Sequence, residues 1–207
     1  AADGSIPWMC VPRVDHDPLC AAMLGRHHGG RLHVAPASHE VVEARQHYLD
    51  DSAVLVTEQR TRDGAVVRLT DAFALRPGND LHQVARHDAG AWVRRIEVIS
   101  GGDGSGGADV GEVELDVEIA PRGGATLSTH DDGLAMLWHR HPDLAFHIDC
   151  SRPLRGERTT IRLAEGDRLW FRLRWADTAD GTFHPAASGH PDELLRHTEA
   201  AWRDWAG

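Results

Sequence analysis

The sequence predicts an all-β protein: an antiparallel sandwich of many short strands, with one short helix near the N-terminus and a longer helix at the C-terminus. Three observations point there. In Glu112 to Ile119 apolar and acidic residues alternate without a break, so Val113, Leu115, Val117 and Ile119 share one face and Glu112, Glu114, Asp116 and Glu118 the other, toward water. Two runs rich in β-branched residues, 53–61 and 65–73, flank Arg62, Asp63 and Gly64, and Asp-Gly between such runs signals a hairpin. Arg168 to Trp175 sets Leu169, Phe171, Leu173 and Trp175 against Arg168, Trp170, Arg172 and Arg174. The alternation stops at the polar loop 176–190, which divides the chain into a sandwich, 1–190, and a helix, 191–207.

Taken in order, Asp3-Gly4 opens a turn and Ile6 to Val11 follows as an extended run. Pro7 and Pro12 bracket it, which suits an edge strand and not a central one. Asp17 has the chemistry of an N-cap and Pro18 that of a first helical residue, so a short helix is expected over Leu19 to Leu24, stopped by Gly25. Strands are expected at 31–35 and 41–49, then the 53–73 hairpin, then Leu81 to His87 and Trp92 to Ser100. The glycine-rich stretch 101–107 reads as a flexible loop. Further strands are expected at 125–129, 134–139, 144–149 and 159–164. Pro191, Asp192 and Glu193 start the last helix, whose apolar stripe is Leu194, Leu195, Thr198, Ala201, Trp202 and Trp205.

Composition narrows the partners. The chain has 207 residues and a formal charge of -10, which speaks against nucleic acid and anionic membrane surfaces. No apolar run approaches the ~20 residues that cross a bilayer. The cysteines are Cys10, Cys20 and Cys150, an odd number without metal-type spacing. Free thiols in a reducing, cytoplasmic compartment are the reading that follows.

The least generic run is 3–17, where Trp8, Arg13, Asp15 and Asp17 crowd one strand-to-helix junction. That mixture suits a sugar site, although a helix cap at Asp17 and a salt bridge at Arg13 account for the same residues. Among the seven tryptophans, Trp175, Trp202 and Trp205 lie on apolar stripes, which suits a core or a domain interface. Trp8, Trp92, Trp138 and Trp170 are open to sugar stacking, and Trp170 also to its neighbouring arginines. His139 and His141 on one strand and His147 and Asp149 on another are weak metal candidates. Their spacing matches no named motif, and scattered surface histidines are the simpler account. No phosphate loop and no serine nucleophile elbow is present, and no cofactor is expected.

The residues Asp3, Gly4, Ser5, Ile6, Trp8, Pro12, Arg13 and Asp15 resemble the start of the bacterial trehalase- and glucoamylase-like proteins of glycoside hydrolase family 15. Pro7, Val14 and His16 depart from that pattern, as does Ala72 between Asp71 and Phe73. Gly123-Gly124 stands where the family has an aromatic tail. Glu199, Trp202 and Trp205 resemble its linker helix. The resemblance implies an N-terminal super-β-sandwich domain that is not catalytic and docks on an (α/α)6 barrel. In that barrel two carboxyl groups, roughly 6.5–9.5 Å apart, perform inverting hydrolysis of α-glucosides. It implies that this stretch alone hydrolyses nothing. Trp8, Arg13 and Asp15 are then expected at the active-site rim, and Trp202 and Trp205 between domains. A stand-alone carbohydrate-binding module is the alternative.

Overall fold

The computed structural model describes residues 1–25, 28–37, 40–75, 89–106, 108–177 and 189–207. Its strands are β1 (Ser5–Ile6), β2 (Trp8–Cys10), β3 (Pro18–Ala21), β4 (Arg31–Pro36), β5 (Val41–Tyr48), β6 (Leu55–Thr61) and β7 (Val66–Phe73). There follow β8 (Ala89–Ser100), β9 (Glu112–Ala120), β10 (Ala125–His130), β11 (Gly133–Trp138), β12 (Leu144–Cys150), β13 (Arg158–Ala164) and β14 (Arg168–Asp177). One α-helix, α1 (Pro191–Ala206), ends the chain. The strand expected at Leu81 to His87 lies outside the described residues.

The strands form an antiparallel sandwich. Four of them, in the order β1-β4-β9-β13, face eight in the order β10-β11-β12-β14-β8-β7-β6-β5, and β2 pairs with β3 beside them. The alternation in the sequence decides which side chains meet. Leu115, Val117 and Leu163 from the smaller sheet pack with Ile96, Ile148 and Phe171 from the larger one in a single buried core. The acids of β9 point outward, half-covered by cross-strand arginines: Arg158 reaches Glu118 at 2.8 Å and Arg162 reaches Glu114 at 3.3 Å. The helix lies on the outer face of the larger sheet. There Leu194 and Leu195 close a second, smaller core over Val54, Ala72, Ala91 and Val93. Strand β8 is therefore covered on both faces.

One expectation is corrected. The segment expected to be a helix after Asp17 is strand β3, followed by a single 3-10 turn at Ala22–Leu24. All four residues of Pro18–Ala21 are buried, and an apolar run covered on two faces has the same composition as a short helix. The pairing with β2 decides between them. Within the glycine-rich stretch, Gly102 and Gly106 lie so close to the Asp63 carboxylate that a Cβ would fall within 3 Å of Asp63 Oδ2, while Asp103 and Ser105 are exposed.

The antiparallel registers bring specific termini to one end of the sandwich. Trp138 pairs with Ala125, Leu144 with Asp177, Phe73 with Trp92, and Leu55 with Tyr48, all close to that end of the larger sheet. In the smaller sheet Ile6 pairs with Leu32, and Arg31 with Ala120, from which the chain passes through Arg122 to β10. Trp8 and the loop after it leave from this same end.

Candidate functional site at one end of the sandwich

Trp8 is held by β2, opposite Ala21 of β3, with its side chain 44% exposed. Val11 is buried, and the Val11–Pro12 peptide bond is cis. The chain then turns outward through 13–16, closed by a hydrogen bond from the His16 amide to the Arg13 carbonyl at 3.2 Å. Arg13 forks onto Asp15, Nε to Oδ1 and Nη2 to Oδ2, both at 2.9 Å. The Arg13 hydrogen bonds hold the Asp15 carboxyl below its usual range. Both side chains face water, so the pair adds little to stability. It presents a charged fork in the loop that follows the exposed Trp8.

Asp17 ends this loop, and its role differs from the helix cap expected of it. Its Oδ2 accepts from Arg140 Nε at 3.0 Å and from Nη2 at 2.6 Å. The Arg140 hydrogen bonds depress the Asp17 carboxyl. His141 Nε2 stands 3.6 Å from the same oxygen, and the His16 and His141 rings are 6.3 Å apart. The turn between β11 and β12 therefore clamps the Trp8–Asp17 loop. Gly123 has φ +78°, and a Cβ there would lie 2.7 Å from Cγ of Arg140. The glycine leaves room for the arginine stem to cross on its way to Asp17. Sequence reasoning missed Arg140, which lies 123 residues from Asp17. The one local signal was the glycine pair itself, which breaks the family pattern.

The remaining candidates separate. Trp92, Trp138 and Trp175 are buried, so none is a sugar platform, and Trp138 Nε1 donates to the Arg122 carbonyl at 2.6 Å. Trp170 is half-buried, with the Arg172 guanidinium 5.8 Å from its ring centre and His190 6.1 Å away. Trp202 and Trp205 form an edge-to-face pair, 5.7 Å between centroids, in the second half of α1.

The histidines named as metal candidates go to different partners. His139 Nε2 lies 3.0 Å from Thr126 Oγ1, and His141 lies beside Asp17. His147 joins Asp132, Asp149 and Arg174 on the outer face of the larger sheet. Burial alone would raise the Asp149 carboxyl, but hydrogen bonds from His147 and Arg172 outweigh it and hold the group low. Among the described residues no group of three or more His, Cys, Asp or Glu side chains is placed to hold a metal ion. Convergence of His139, His141, His147 and Asp149 does not occur.

Comparison with known proteins bears on the Trp8–Asp17 loop directly. Residues 1–101 match the trehalase-like, N-terminal family. The matched segment thus contains the whole loop and β1 through β8. A protein named trehalase from Mycolicibacterium smegmatis is 26% identical over 227 residues, which takes in 98% of this chain and 31% of that protein. A trehalase from Mycobacterium tuberculosis matches with the same identity and coverage. The chain therefore spans about a third of the length of the curated relatives it matches. Among the described residues no helix is long and apolar enough to cross a membrane.

Proposed function

We propose that this chain is the non-catalytic N-terminal domain of a family 15 glycoside hydrolase, a glucoamylase- or trehalase-like α-glucosidase of carbohydrate metabolism. Its sandwich, 1–190, docks on and stabilises a catalytic (α/α)6 barrel, and its helix, 191–207, links the two. The observation that carries this reading is coverage: nearly the whole chain aligns with trehalases, yet it accounts for 31% of their length. The chemistry is then inverting hydrolysis by two carboxyl groups of the barrel, with the Trp8–Asp17 loop at the rim of its active site. Trp8 offers an apolar face to a sugar ring, and the Arg13–Asp15 fork offers donors and acceptors to its hydroxyls. No cofactor takes part. The free Cys10, Cys20 and Cys150 suit a cytoplasmic setting.

The test is an assay of the whole native polypeptide that carries this stretch, on trehalose and maltooligosaccharides, with the product anomer followed by NMR. Inverted glucose release is expected. Arg13→Ala is expected to lower kcat/KM on the order of tenfold without changing the melting temperature, by loss of a charged contact to substrate. No hydrolysis of any α-glucoside would sink the family reading, and an unchanged kcat/KM would sink the rim role alone. Exposure of Trp8 keeps a second reading in view, a stand-alone carbohydrate-binding module. Micromolar binding of a glycan by residues 1–207, abolished by Trp8→Ala, would favour it.

A further inference from the structure

Among the described residues the exposed aromatic side chains are Trp8, Tyr48, Phe73 and Trp205, at 44, 62, 57 and 51% exposure. All four stand at one end of the sandwich. Tyr48 closes β5, Phe73 closes β7, and Trp8 follows β1, at the end the registers define. The helix reaches the same end. Its Asp192 approaches Arg95 in the middle of β8 (3.5 Å), and Thr198 Oγ1 accepts from the Leu75 amide (2.9 Å), two residues beyond Phe73. Past Thr198 the apolar stripe of the helix continues with falling burial: Leu194, Leu195 and Thr198 are buried, Ala201 and Trp202 half-buried, and Trp205 exposed. Among the described residues the large apolar side chains exposed at the opposite end are aliphatic, Val42, Ile99 and Val110.

We infer that this aromatic end is the docking face for the helical domain, with Tyr48 and Phe73 on the inner side of the larger sheet, where Phe73 meets Trp175 edge-on (6.1 Å), and with the Trp202–Trp205 pair of α1 on its outer side. The inference rests on the docking reading above and adds to it two residues and a direction. The occupant is argued from length: more than two thirds of each matched trehalase lies outside the aligned stretch. Its contact surface must be apolar to cover the tryptophan pair, and aromatic anchors of this kind are what the buried centre of an interface uses. A groove between two helices would accept the second half of α1 as a third helix.

The test is hydroxyl-radical footprinting of the whole polypeptide, each rate normalised to the residue's intrinsic reactivity. Tyr48, Phe73 and Trp205 are expected to react on the order of tenfold more slowly than Ile99 and Val110, because side chains at an interface core lose their water. Slow reaction at Ile99 and Val110, with fast reaction at the aromatics, would overturn this face and leave docking intact. Fast reaction at both ends would overturn docking itself. Protection of the aromatics that weakens on dilution of the whole polypeptide would assign the face to a second copy and also overturn the inference.

Discussion

Arg94 and Asp71 hold each other inside the sandwich by two parallel hydrogen bonds, Nε to Oδ1 at 2.7 Å and Nη2 to Oδ2 at 2.8 Å. The remaining guanidinium nitrogen, Nη1, donates to the carbonyls of Gly4 and Val34. One side chain of β8 thus ties the larger sheet to the smaller one and to the N-terminal segment that leads into Trp8. Arg94 also lies over the Trp92 ring at 5.0 Å. These contacts explain why an arginine and an aspartate occupy core-facing positions in strands that are otherwise apolar on that side.

Removing one member strands the other. Arg94→Met should cost about 3–5 kcal/mol, since it leaves the Asp71 carboxylate buried without its cation. Adding Asp71→Leu to the same chain should restore part of that loss, because no charge then remains uncompensated. Urea unfolding of the three proteins measures both. A double variant no more stable than Arg94→Met would contradict the pairing.

Gly101 makes a different kind of demand. A Cβ there would lie 2.2 Å from the backbone carbonyl of Gly111, which cannot swing aside as a side chain can. Gly101→Ala should therefore destabilise by roughly 1–3 kcal/mol, the usual cost of overpacking. Gly64 has open space around its Cβ position but φ +86°, so Gly64→Ala tests backbone strain without a clash. Thermal unfolding of both separates the two effects. An unshifted melting point for Gly101→Ala would mean that the loop gives way.

Much of this fold was legible because its signals are local. Alternation placed β9 and β14, the Asp63-Gly64 turn joined β6 to β7, and the stripe from Leu194 to Trp205 placed α1. Arg13 and Asp15, two residues apart, were legible as a pair for the same reason. What failed was contact across sequence distance. Pro18–Ala21 carries the capping chemistry of a helix, yet pairing with β2 and burial on both faces impose a strand. Asp71 reads as part of a broken family motif, and its partner at 94 lies two strands' worth of residues away. Spacing does not reveal what approaches the glycines near 101.

The Asp17–Arg140 clamp predicts a local effect with a small global one. The pair is partly exposed, so Arg140→Ala should lower stability by about 1 kcal/mol or less. The loop it releases should open more often, and trypsin cleavage after the exposed Arg13 should rise several-fold, since cleavage follows the population of the open form. Timed proteolysis beside a melting curve checks both. Equal cleavage rates would mean that Arg140 does not hold the loop.

His33 is an acid-sensitive group inside the sandwich. Its ring is buried on β4, with Nε2 3.2 Å from the Pro36 carbonyl and Nδ1 3.3 Å from Arg31 Nη2. A proton on Nε2 satisfies both contacts, with Nδ1 accepting from the arginine. A second proton, on Nδ1, would remove that acceptor and set a cation against Arg31. Burial first, and then the Arg31 and Arg94 charges, push the imidazole down from 6.5 to about 4, against a smaller opposing pull from Asp3. The unfolded chain therefore takes up this proton before the folded one does. The stability His33 contributes is complete above about pH 6.5 and is lost as pH falls toward 4, about 3 kcal/mol over that window and about 2 of it by pH 5. Urea midpoints at about pH 7.5 and about pH 5 should thus differ more in the parent protein than in His33→Gln, which keeps a donor for Pro36 and cannot charge. Equal differences in the two proteins would assign the acid sensitivity to other groups.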